Sequence, residues 1–245
     1  MDAYKILIAY DGLDYYGWQL QPDVPTITSV LQNSFKAVFK KEIHVVGASR
    51  TDAGVHALGQ VARFYSDIVI APEKMLKAWN NLLPRDILIR KLELVDDSFH
   101  PQRNVAQKTY YYHFFTKKPL PFLARYGFYR DMLLNYEKLQ ECLQIFVGTH
   151  DFRSFCTGYE QESTIRTIDS LSLQYFKRYG VYRIEIKGPG FLRYMIRRIV
   201  GACLNIALTH RSIEELSIAL AAKDPQQHLF TAPAHGLILS GITYV

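Results

Sequence analysis

Cysteine is scarce in this 245-residue chain. There are three, Cys142, Cys156 and Cys203, an odd number, widely spaced and without a C-x-x-C pair. That pattern argues against a disulfide framework and against a zinc cluster. Long apolar runs are lacking as well, and none approaches the roughly 20 residues that a membrane span needs. The opening MDAYKILIAYDG has early acids and one short apolar run, which is not the make-up of a secretion signal. No low-complexity linker interrupts the chain. These absences lead to the expectation of a reduced, cytoplasmic protein with no membrane attachment. Acids are outnumbered too: 23 Asp and Glu face 29 Lys and Arg, a net charge of +6. Such a field draws polyanions, nucleic acid first among them.

What is present suits a globular chain. Hydrophobic residues make up 49%, enough for the core of one large domain or two small ones. Seventeen tyrosines are available either for a core or for stacking on bases. Residues 3–10 (AYKILIAY) read as a buried strand closed by the turn at Asp11-Gly12. A helix is expected over 28–40, with Leu31, Phe35 and Val38 on one face and Thr26 or Thr28 as its cap. Residues 43–48 and 59–65 read as strands. Pro72 starts a helix with Met75, Trp79 and Leu82 on one side, and 86–94 closes the unit as a strand. The order β-α-β-β-α-β is the ferredoxin-like split unit.

A similar order recurs in the second half. Residues 108–115 read as a strand, and Asn135 caps a helix with Tyr136, Leu139, Leu143 and Phe146 on its apolar side. Residues 164–175 and 181–187 form strands around Tyr179-Gly180. A long helix follows Gly190, with Leu192, Ile196, Ile199 and Cys203 on one face. Ser212 and Glu215 make a capping box for a shorter helix, and 237–244 is the last strand. The expected fold is therefore α+β: two ferredoxin-like (RRM-like) halves, residues 1–103 and 104–245. Their sheets are mainly antiparallel and side by side, helices lie on one face, and a cleft forms between the halves.

Three stretches carry chemistry. In ASRTDAGVHALGQVARF (48–64) the single acid is Asp52, with Arg50 two residues before it and Gly47 and Gly54 bracketing the loop. As an isolated D-A-G this would be an ordinary turn. Beside an arginine, a carboxylate stays ionised and can serve as nucleophile or base. Arg50 can reach a phosphate or insert among bases. His56 reads as a structural, hydrogen-bonded histidine. In KTYYYHFF (108–115), Tyr110, Tyr112 and Phe114 share one face of a strand, and one tyrosine near its start is available to stack on a base. In FLRYMIRRIVG (191–201), Arg193 and Arg197 share a helix side among apolar residues. A partly buried arginine there needs an anion, and Asp52 is the candidate. His100, His113 and His150 are scattered and the acids lack ligand spacing, so no metal site is expected.

Taken together, these stretches resemble the TruA-type tRNA pseudouridine synthases. The matching landmarks run in order along the chain: YDGLDYYGWQLQP (10–22), RTDAGVHALGQV (50–61), KTYYY (108–112), GTHDFRSF (148–155), STIRTI (163–168), FLRYMIRRIVG and TAPAHGL (231–237). Three positions depart from the family pattern. Ser49 stands where Gly is common, Tyr194 where His is common, and KDPQQHLF (223–230) lacks the usual Ala-Gly pair. The resemblance implies isomerisation of uridine to pseudouridine in tRNA, at positions 38, 39 and 40 of the anticodon arm, by a homodimer and without cofactor or metal. It matches Asp52 to the essential aspartate, Tyr110 to the tyrosine that stacks on the target uracil, and Arg197 to the arginine that pairs with the aspartate. Arg50 matches the residue that holds the target nucleotide out of the stack.

Three alternatives stay open on sequence: the same chemistry at another tRNA position, a non-catalytic RNA chaperone, and another carboxylate enzyme such as a glycoside hydrolase. A glycosidase usually needs two carboxylates flanking one bond, and the best loop offers one.

Overall fold

A computed structural model of the chain describes residues 1–131, 133–158, 163–209 and 211–245. In chain order its elements are β1 (Asp2–Tyr10), α1 (Ile27–Phe39), β2 (Val46–Gly47), β3 (His56–Ser66), α2 (Pro72–Asn80), β4 (Ile87–Val95) and β5 (Val105–Phe115). Then come β6 (Phe128–Tyr129), α3 (Tyr136–Gln144), β7 (Gly148–Asp151), β8 (Ile165–Ile168), β9 (Ser170–Phe176), β10 (Val181–Gly188), α4 (Met195–Ala207), α5 (Glu214–Ala222) and β11 (Leu237–Tyr244). The fold is α+β with mostly antiparallel pairing. It divides into two compact units, Met1–Ala106 with Ile238–Val245, and Gln107–Leu237.

The first unit is the expected β-α-β-β-α-β arrangement. β1 lies between β4 and β3, antiparallel to both, and β2 pairs with β3. Alternation along β1 buries Tyr4, Ile6, Ile8 and Tyr10. Tyr4 stacks on Phe64 of β3, and Phe64 meets Phe35 of α1 and Trp79 of α2 edge-on. Both helices therefore cover the same sheet face. Burying each such ring stabilises by about 1.5–3 kcal/mol. The indole of Trp79 is satisfied by donating to Ser34 Oγ at 2.8 Å. Thr26 caps α1, accepting from the Ser29 N–H, while Ser29 Oγ accepts from the Thr26 N–H. This is a capping box with serine in the place of the usual Glu.

Two expectations for this unit change. The strand expected over 43–48 shrinks to Val46–Gly47, because Val45 N–H donates to Gln32 Oε1 of α1 and not to a neighbouring strand. The final strand, which closes the second half in chain order, groups with the first unit. Its Ile238 and Leu239 pair in parallel with His56 and Ala57 of β3.

In the second unit β10 is antiparallel to both β5 and β9, and β6 pairs in parallel with the end of β5. The run expected as one strand over 164–175 breaks at Asp169. β8 pairs with β7 in a separate two-stranded sheet, whereas β9 joins β10. Tyr112 and Phe114 of β5, Ile184 and Ile186 of β10, and Leu139 and Leu143 of α3 are buried. α4 is apolar on most of its surface and runs through this core; Met195, Ile196, Ile199, Val200, Cys203 and Leu204 are all buried. The three cysteines are free buried thiols, and burial pushes the Cys142 thiol up to about 11. No helix among the described residues is long and apolar enough to cross a membrane.

Candidate active site

The loop between β2 and β3 carries Arg50 and Asp52. Arg50 is exposed, Thr51 buried and Asp52 half-buried. The loop starts from a closed pair of side-chain bonds: Gln60 Nε2 donates to Ser49 O at 2.6 Å, and Ser49 N–H donates to Gln60 Oε1 at 3.2 Å. At this serine, which stands where glycine is common, the backbone N–H and carbonyl are both paired. The loop turns through Val55 N–H donating to Asp52 O, with Gly54 at φ +78°. Of the two bracketing glycines, Gly54 supplies the unusual dihedral. Gly47 is needed for a different reason, because a Cβ there would overlap the Trp18 indole.

The segment 11–18, matched to the family only as a landmark, forms the mould of this loop. Trp18 N–H donates to Thr51 O at 3.1 Å, and Gly54 N–H donates to Tyr15 O at 3.2 Å. The Tyr10 hydroxyl and Thr51 Oγ1 share a bond of 2.8 Å. Glycines mark the closest approaches. A Cβ on Gly12 would overlap the Val55 carbonyl, and one on Gly17 (φ +86°) would lie 2.6 Å from Thr51 O. The segment is itself tied down. Tyr15 hydroxyl donates to Asp86 Oδ1 at 2.8 Å, Asp11 N–H donates to Asp86 O, and Thr28 Oγ1 donates to Trp18 O at the start of α1. Burial, then the bond to Asp86, raises the Tyr15 pKa and keeps the hydroxyl protonated.

His56 is structural, as expected. It is 3% exposed, and its Nδ1 lies 3.1 Å from Gly12 N and 3.0 Å from Asp11 Oδ1. One ring nitrogen cannot accept from Gly12 and donate to Asp11 at once, so which of the two it holds depends on whether Nδ1 carries a proton.

The other two residues singled out lie in the second unit. Tyr110 on β5 is buried, its ring 5.4 Å from that of Phe191 at an interplanar angle of 86°. Arg197 is half-buried in the first turn of α4, with Nε donating to Ala232 O at 2.8 Å, while Ala232 N–H donates to Arg197 O at 3.0 Å. Arg198, its neighbour, instead donates to Cys156 O at 2.9 Å. No acid occupies the first turn of α4, where two arginines add to the positive end of the helix dipole.

α4 begins later than the sequence indicates, at Met195, because Tyr194 takes a left-handed conformation, φ 62°. The Tyr194 ring then receives the guanidinium groups of Arg193 and Arg197 at 5.1 and 5.2 Å. The TAPAH segment, read as shape alone, is what holds Arg197. Besides Ala232, its Pro233 carbonyl accepts from the Tyr112 hydroxyl at 3.0 Å, and Gly201 of α4 meets the Phe230 carbonyl so closely that a Cβ would overlap it. Tyr110 and Arg197 are linked in this way through Tyr112 and the 230–233 backbone. Lys108, two residues before Tyr110, has its pKa pulled down to about 8 by burial. Among the described residues no cluster of three His, Cys, Asp or Glu side chains could hold a metal ion.

Residues 6–102 and 142–245 match the family described as tRNA pseudouridine synthase. Full-length relatives agree. The chain is 37% identical over 250 residues to tRNA pseudouridine synthase A of Thermodesulfovibrio yellowstonii, covering 98% of each chain. It is 38% identical to tRNA pseudouridine synthase A 1 of Protochlamydia amoebophila and 39% identical to tRNA pseudouridine synthase A of Limosilactobacillus reuteri, in each case over 100% of this chain and 97% of the relative. With its R-T-D-A-G loop moulded by the 11–18 segment and its arginine helix held by the 230–233 turn, the chain belongs to the tRNA pseudouridine synthase family, whose members are isomerases.

Proposed function

We propose that this protein isomerises uridine to pseudouridine in the anticodon arm of tRNA, at positions 38, 39 and 40, with Asp52 as the catalytic carboxylate. The observation that carries the reading is the moulded loop: backbone and side-chain bonds fix the residues on both sides of Asp52. Its own side chain stays half-exposed, beside an exposed arginine. A plain turn needs no such mould.

In the reaction the N1–C1′ bond breaks, the uracil turns, and C5 bonds to C1′, while C5 gives up its proton to solvent and N1 takes one up. Atoms and electrons balance without any redox partner. The uridine must first leave the RNA stack, which costs a few kcal/mol. Arg50 offsets that cost by holding the extruded nucleotide, and the net charge of +6 favours the polyanion. Arg197, held by Ala232, is the arginine that the family resemblance matches to the partner of the essential aspartate. Tyr110 is the ring on which the uracil stacks, and since it is buried against Phe191, the base must displace part of its present surroundings. The working form is a cytoplasmic homodimer in which one tRNA touches both subunits.

The test is tritium release from unmodified tRNA labelled with 5-³H-uridine. Asp52→Asn is expected to lower release by on the order of a thousandfold or more while tRNA still binds. Activity retained in Asp52→Asn sinks the reading. Tyr110→Ala should lose most activity, and Tyr110→Phe should keep binding.

A further inference from the structure

Asp52 is placed by its neighbour. Thr51 is buried between an exposed Arg50 and a half-buried Asp52, so its own fixation sets where the next Cα–Cβ bond points. Its carbonyl is held by backbone, through the Trp18 N–H and the close approach of Gly17. Its side chain is held by the Tyr10 hydroxyl, 2.8 Å away across 41 residues of chain. Tyr10 is a rigid anchor. It is the last residue of β1, 4% exposed, paired with Ala57 of β3 and tilted against the Trp18 ring at 6.2 Å.

The pairing of β1 with β3 also slips just there. Ile8 faces Gln60, but Tyr10 faces Ala57, so β3 carries one residue more than regular pairing needs. Such a bulge re-aims side chains relative to regular pairing, and bulges are over-represented beside active sites.

We infer that Tyr10 and Thr51 are positioning residues for Asp52. Their mutual hydrogen bond holds the carboxylate in its reactive direction, and its loss lowers kcat while KM and tRNA binding stay. This rests on Asp52 being the catalytic carboxylate. Catalytic groups must be held to within about 0.5 Å, and a displacement of about 1 Å costs on the order of a hundredfold in rate. A buried hydroxyl pair that tethers the preceding residue is suited to that tolerance. It does not recruit the RNA, because both side chains are inside the protein.

The experiment compares Tyr10→Phe, Thr51→Val, the double variant and Thr51→Ser in the full-length protein, by tritium release from labelled tRNA, tRNA binding and thermal melting. Each hydroxyl-removing single variant should lower kcat about tenfold or more with KM within about twofold, and the double variant should fall no further, since both remove one shared bond. Thr51→Ser restores the hydroxyl and should recover most of the loss seen in Thr51→Val. Full kcat in both single variants, additive losses, or a loss confined to KM or to melting temperature would each overturn the inference. The control is Asp52→Asn. If it is inactive while Tyr10→Phe and Thr51→Val are normal, only the positioning role falls. If it is active, the catalytic reading falls and the positioning role with it.

Discussion

The loop bearing Asp52 and the helix turn bearing Arg197 are both held in place, but by opposite means. The loop has no regular structure of its own. Its shape comes from a second irregular segment, 11–18, through bonds such as Trp18 N–H to Thr51 O and approaches that only glycine permits at Gly12 and Gly17. Arg197 sits in regular helix, where periodicity alone sets its direction, and one short turn at 230–233 fastens the guanidinium through Ala232 O. An irregular site thus depends on backbone contacts spread over two segments. The helical one draws on the paired bonds between Arg197 and Ala232, on the Tyr194 ring, and on the close packing of Gly201 against the Phe230 carbonyl.

The sharpest way to break this contrast is Gly12→Ala. The added methyl cannot fit against the Val55 carbonyl, so the mould must shift. Activity in the tritium assay should fall about a hundredfold or more, and stability by about 1–3 kcal/mol. Gly190→Ala, where nothing lies within 4 Å of the added carbon, should leave both nearly unchanged. A silent Gly12→Ala would show that the loop does not need its mould.

Arg197→Lys is the helical counterpart. The charge is kept, but the Nε–H that reaches Ala232 O is lost. A drop in activity of about tenfold is expected, with a stability loss of about 1 kcal/mol in chemical denaturation. An unaffected rate would mean that position 197 needs charge only.

The smallest effect concerns Lys108. Burial lowers its folded-state pKa to about 8, from the ordinary lysine value of 10.5. Between these values the unfolded chain binds more protons than the folded one, so stability rises with pH across that window. Below about pH 8 both states are protonated and the destabilisation is constant. Denaturation curves from pH 7 to pH 10 should show this rise in the native protein and a flatter profile in Lys108→Met.

Much of the architecture was legible in residue patterns. The helix expected over 28–40 forms over Ile27–Phe39, the strand expected over 86–94 over Ile87–Val95, and the last strand where it was placed, because alternation and the 3.6-residue period report burial directly. Local patterns erred where a distant group intervened. Val45 leaves the strand pattern because Gln32 takes its N–H. Of the Ser212–Glu215 capping box, the half in which Glu215 Oε1 accepts from Ser212 N–H forms at 3.3 Å, while no side chain caps the helix. Leu82, expected on the apolar side of its helix, lies beyond the helix end and is exposed. In the proposed site, Asp52, Arg50, Tyr110 and Arg197 were singled out by residue type and by the family resemblance. Tyr10, Tyr15 and Trp18 were not assigned roles, since a loop has no period from which the direction of a side chain can be read.

By itself the amino-acid order determined the strands and helices of the first unit, the tyrosine faces of β5 and the choice of Asp52 as the carboxylate to watch, because these depend on spacing within a few residues. Tertiary structure alone decided that 11–18 moulds the Asp52 loop, that β11 returns to pair with β3, and that the 230–233 turn grips Arg197. Each is a contact between segments far apart in the chain, where backbone groups lacking regular partners, and glycines lacking a Cβ, find one another only after the sheets have formed.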